Sequence, residues 1–94
     1  MTKKAMVDYF VTRLATAKDE TFYDEGRTYA CAVLGQKLFR LTRGGFFWYV
    51  NETKKRAEEK LQSITDEKPR EFIKGMRDVC SYVLRRTRTW EGKP

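Results

Sequence analysis

The apolar positions of this chain follow a helical period at both ends and lose it in the middle. Near the start, Ala5, Met6, Tyr9, Phe10, Leu14 and Ala17 recur at spacings of three and four residues, with Arg13 in the same register. That is the signature of one helix face, so the sequence predicts an N-terminal amphipathic helix. Lys18 to Gly26 is polar and reads as a connection. Toward the other end, Phe72, Ile73, Met76, Val79, Cys80, Val83 and Leu84 form an uninterrupted stripe. It outweighs the roughly 1 kcal/mol that Gly75 costs inside a helix. Pro69 suits the first turn of that helix. Ahead of it, Thr53, Ala57, Leu61 and Ile64 mark the inner side of a third helix. Asn51 is its expected N-cap, with Glu52 in the first turn and Thr65 to Lys68 as the break that ends it.

Residues 28–50 read as strands. The segments 28–34, 37–43 and 46–50 are separated by Gly35-Gln36 and Gly44-Gly45, and two-residue connections with glycine are a hairpin signal. Phe46-Phe47-Trp48-Tyr49-Val50 is a run of strand formers. The register set by such turns opposes 34 to 37, 43 to 46 and 41 to 48. One sheet face then holds Ala30, Ala32, Leu34, Phe39, Leu41, Phe46, Trp48 and Val50, with Lys37 and Arg43 beside the turns. The expected fold class is therefore α+β: an N-terminal helix, a three-stranded antiparallel meander and two C-terminal helices, in one domain over residues 1–94. The alternative is an all-α four-helix bundle. There, residues 24–43 form a helix with Ala30, Val33, Leu34, Leu38 and Leu41 on one face, Gly44-Gly45 ends it, and another helix starts at Phe46. The expected core includes Phe10, Leu41, Trp48, Phe72, Met76 and Val83.

Composition narrows the chemistry. The chain has 94 residues, 40% hydrophobic, 14% aromatic and 35% charged, too apolar for a disordered tail and too charged for a membrane protein. No apolar run approaches the roughly 20 residues that span a bilayer, and Asp8 and Arg13 break what a signal peptide would need, so a cytoplasmic protein is expected. There is no histidine, which removes the commonest general base and metal ligand. Cys31 and Cys80 stand alone in sequence and read as reduced, partly buried thiols, a disulfide being the other possibility. Two cysteines are too few for a zinc site, so no metal or cofactor is expected. The carboxylates fall mainly in solvated pairs (Asp19/Glu20, Asp24/Glu25, Glu58/Glu59, Asp66/Glu67), and Gly44-Gly45 lacks a phosphate-loop context. The sequence therefore predicts a protein that is not an enzyme.

The net charge of +7, interrupted only by the acidic stretch at Asp19 to Glu25, favours a partner that is nucleic acid or an acidic protein surface. Three groups of candidate binding residues follow. Arg40, Arg43, Phe47 and Tyr49 fall on or beside the second sheet face, with Tyr29, Cys31, Val33, Leu38 and Thr42, as a stacking platform. Lys54, Lys55 and Arg56 open the expected third helix, where free backbone N–H groups suit a phosphate. Arg85, Arg86, Arg88 and Trp90 form a basic, aromatic C-terminus, and Trp and Arg lead the residues that carry interface energy.

The order helix, meander, helix, with Lys54-Lys55-Arg56-Ala57 opening the second of these helices, is similar in outline to the double-stranded-RNA-binding domain over about residues 4–64. The loop of Gly-Pro-x-His character found in that family is missing, and the C-terminal helix is extra. The expected function is a small basic binding protein, monomer or homodimer, of the phage or mobile-element type. It would dock on and inhibit or redirect a host nucleic-acid-processing protein or complex, such as a nuclease or CRISPR effector. The alternative is a direct nucleic-acid-binding domain, for DNA or RNA, that uses the basic and aromatic sheet face and the Lys-Lys-Arg helix start.

Overall fold

The computed structural model describes residues 2–87, and these form four helices: α1 Lys3–Ala15, α2 Phe22–Arg40, α3 Arg43–Ser63 and α4 Glu67–Thr87. No strand occurs among the described residues, which overturns the α+β expectation and leaves the four-helix alternative. The outline resemblance to the double-stranded-RNA-binding domain falls with the meander it required.

Threonines set the helix starts. Thr2, Thr21 and Thr42 each sit in extended backbone and accept a hydrogen bond from the amide three residues on, at Ala5, Asp24 and Gly45, each at 3.1 Å. Each occupies one of the orphan amides of a helix N-terminus. Thr42 starts a helix where the meander was expected. The break between α2 and α3 is Leu41-Thr42, and Gly44-Gly45 lies in the first turn of α3, with no positive φ at any described glycine. Gly35 lies inside α2, where a Cβ would stand 3.7 Å from Phe10, an ordinary contact. Gly26, read as part of a polar connection, is buried within α2. Asn51 is not a cap either. It lies midway along α3, and its side-chain amide donates to the Phe47 carbonyl at 3.0 Å. The α3–α4 turn is closed by Arg70, whose guanidinium donates to the carbonyls of Leu61 (2.6 Å) and Ile64 (3.2 Å), satisfying orphan acceptors at the end of α3.

Consecutive helices run antiparallel, and α4 packs in parallel beside α2. Lys68 stands over the Phe22 ring at 5.5 Å at the start of both, and Cys80 neighbours Cys31 further along. In between, two glycines let the backbones approach. A Cβ on Gly26 would lie 2.7 Å from the Phe72 carbonyl carbon, and one on Gly75 2.9 Å from the Arg27 nitrogen, with a carbonyl oxygen closer still in each case. Helix α4 also packs along α3, while α2 and α3 meet only weakly and α1 rests mainly on α2. Met6, Phe10, Ala30, Cys31, Leu34, Leu38, Phe46, Val50, Val79, Cys80 and Val83 form the core. Phe10 and Val83 are buried as expected, and Met76 and Phe72 are half-buried. Trp48 and Leu41 are not core residues: Trp48 is 63% exposed. In a strand, 46, 48 and 50 share a face; in a helix, 48 points about 200° away from 46.

Both cysteines are free and buried. Burial pushes the Cys80 thiol up to about 12 from 9.0, and raises Cys31 as well. It also carries the Tyr9 hydroxyl up to about 12 from 10.0; this ring stacks on Tyr82 at 4.6 Å between α1 and α4. The folded state thus holds these protons more tightly than the unfolded chain does. Their contribution to stability is complete below the unfolded values and is lost as pH rises from about 9 toward 12. The expected result is a lower melting temperature at about pH 11 than at about pH 8, with part of the difference removed in Cys80→Ala. A melting temperature flat over that range contradicts the burial of these groups.

Candidate binding groove

Helices α2 and α3 meet only weakly while α4 packs on both, and a groove lies between α2 and α3 with Ile73 and Met76 of α4 in its lining. Two stripes face each other across it. On α2 the wall is Tyr29 and Val33, with Lys37 one turn further; on α3 it is Tyr49, Thr53, Arg56 and Lys60. These are helical spacings of three and four, so each stripe lies on one face of its helix. Ala30, Leu34, Ala57, Ile73 and Met76 line the remainder, enclosing about 200 Å³. No carboxylate is among the lining residues. Lys37 stands 5.2 Å from the Tyr49 ring centre, within cation–π range, and the Tyr29 ring packs 5.7 Å from Phe72. One end of the groove therefore has a tyrosine with Lys37, and the other a tyrosine with Arg56 and Lys60.

Of the residues singled out for binding in the sequence, the fold brings Tyr29, Val33, Tyr49 and Arg56 together here. Lys54, Lys55 and Arg56 lie midway along α3 rather than at a helix start, so the local backbone amides are engaged and the phosphate argument for that triplet fails. Successive helical residues also turn by about 100°, which spreads the three charges around the helix. Lys54 is half-buried and its charge reaches Cys80 on α4, while Lys55 is exposed. Arg40 ends α2 and Arg43 starts α3, flanking the turn, and Phe47 is half-buried in the first turns of α3. Arg85 and Arg86 close α4, Arg86 lying 5.2 Å from the Tyr82 ring. Arg88 and Trp90 lie outside the described residues. Lys37 and Lys60 were not among the candidate binding residues, and Tyr29 was expected on a sheet face rather than on a helix wall. The spacings Tyr29, Val33, Lys37 and Tyr49, Thr53, Arg56, Lys60 carried the signal, once read with a helical rather than a two-residue period.

Among the described residues, no three His, Cys, Asp or Glu side chains gather to hold a metal ion, and no helix is long and apolar enough to cross a membrane. No family model, no curated protein and no solved structure matches the chain.

Proposed function

We propose that this is a small, basic, non-enzymatic binding module whose ligand is single-stranded nucleic acid, held in the α2–α3 groove. The observation that carries this reading is the company of Tyr29 and Tyr49 with Lys37, Arg56 and Lys60 in one groove without a lining carboxylate. Aromatic faces on which unpaired bases stack, beside cations that meet the phosphates, are what non-specific single-strand binders use. Base pairs in a duplex are already stacked and leave such rings nothing to take up.

Fluorescence anisotropy with labelled single-stranded and duplex oligonucleotides across a salt series tests it. Three phosphate contacts give a log–log salt slope of about −2 on single strands, and Arg56→Ala flattens it by about 0.7. Tyr49→Ala weakens binding by about 1–3 kcal/mol if one base stacks there. Absent binding, or affinity unchanged in both variants, refutes the proposal. A second reading, a module that docks on a nucleic-acid-processing protein and inhibits or redirects it, is favoured by the exposed rings of Phe39 (68%) and Trp48 (63%), since large exposed apolar groups suit protein interfaces. Capture of a protein partner that survives nuclease, together with no oligonucleotide binding, selects that reading.

A further inference from the structure

A second groove lies between α1 and α2, away from the tyrosines. Val7, Val11 and Leu14 of α1 form one wall at spacings of four and three. Ala32, Gly35, Gln36 and Phe39 of α2 form the other, over Phe10 and Leu38, enclosing about 280 Å³. The small residues Ala32 and Gly35 keep the floor low, and Val11 (58%), Leu14 (39%) and Phe39 (68%) stand exposed along its length. Among the described residues the seam is lined by α1 and α2 alone, and α1 meets α4 through the Tyr9–Tyr82 stack instead. From residue 7 to residue 14 is about 10 Å of helix, the reach of anchors at i, i+4 and i+7 of an opposing helix.

Charge indicates what kind of helix. The end of the groove near Val7 and Phe39 carries Lys3, Lys4 and Arg40, all exposed. The first turn of α1 holds no acidic residue, so Lys3 and Lys4 add to the positive end of the helix dipole instead of offsetting it. Asp8 is the one nearby carboxylate on α1. A second copy of this chain carries the same overall net charge of +7, whereas acidic side chains on a partner relieve the field of Lys3, Lys4 and Arg40. We infer that the α1–α2 groove is a docking site for an amphipathic helix of a partner protein, with acidic residues at the end that meets Lys3, Lys4 and Arg40.

The probe is a labelled synthetic helical peptide with leucines at i, i+4 and i+7 and glutamates at one end, titrated with the full chain. A matched peptide with lysines for the glutamates is the control. The wild-type protein is expected to bind the acidic peptide, and Val11→Glu and Phe39→Glu each to weaken it roughly tenfold or more. Both variants replace exposed side chains, so their melting temperatures should stay at the wild-type value; where one falls, Val11→Ala or Phe39→Ala takes its place. Lys3→Glu with Lys4→Glu should weaken the acidic peptide and spare the lysine one. Failure of the wild type to bind, equal binding of both peptides, or unchanged affinity in the groove variants overturns the inference. So does sedimentation of the wild type as a dimer that Val11→Glu dissociates, which would put a second copy in the groove.

Discussion

Gly75→Ala is expected to unfold the protein or lower its stability by about 3 kcal/mol, although alanine is the better helix former. Helix propensity alone favours the change by about 1 kcal/mol, since Gly75 lies well inside α4. The packing term opposes it. The new methyl would meet the Tyr23 carbonyl and stand 2.9 Å from the Arg27 nitrogen, and backbone atoms of a helix cannot turn aside as a side chain does. Overpacking a tight contact costs about 1–3 kcal/mol and sometimes more, and here relief requires α2 and α4 to separate along the principal interface of the molecule. Gly26→Ala meets the Phe72 carbonyl and should behave alike. Gly35→Ala is the internal control: its Cβ finds ordinary contact with Phe10 at 3.7 Å, so it should gain up to about 1 kcal/mol. Thermal or urea denaturation of the three variants reads out the signs, and a stabilised Gly75→Ala would contradict the close crossing.

The second large effect separates two neighbours. Phe46→Ala should cost about 3–5 kcal/mol, because Phe46 is 1% exposed and carries α3 into the core. Trp48→Ala should cost less than about 0.5 kcal/mol, the usual range for a surface change away from special features. The contrast tests the fold as much as the residue, since in a meander both rings point to one face and both truncations would be severe. Equal losses in urea denaturation would restore the strand geometry.

The C-terminal helix was readable because its stripe is long and regular: Val79, Cys80 and Val83 are buried as their spacing requires. The middle was not, because Phe46 to Val50 is apolar throughout and carries no period of its own. The glycines then tipped the reading. A glycine pair between apolar runs marks a hairpin, but it also fits the first turn of a helix when a threonine stands two positions ahead of it, as Thr42 does. Sorting Ala30, Leu34, Phe46 and Val50 onto one face was right for these four, because alternation and helical spacing coincide at i and i+4. It was wrong for Phe39, Leu41 and Trp48, where the two periods part.

The candidate site was legible in residue type and not in place. Tyr29, Tyr49 and Arg56 stand out in the sequence as aromatics and a cation, but Lys37 and Lys60 join them only across a helix pair. By itself the sequence determined the charge, the absence of histidine, the first and last helices and the buried stripe of the last, since these depend on local composition and spacing. On the first helix Met6 and Phe10 are buried, while Ala5 and Leu14 of the expected face are exposed. The tertiary structure alone decided which helices touch. That choice rests on Gly26 and Gly75, forty-nine positions apart, meeting where any larger residue would hold α2 and α4 apart. With α4 set against α2 and α3, the tyrosine groove opens on one side, and α1 is left with an apolar seam that no other described helix covers.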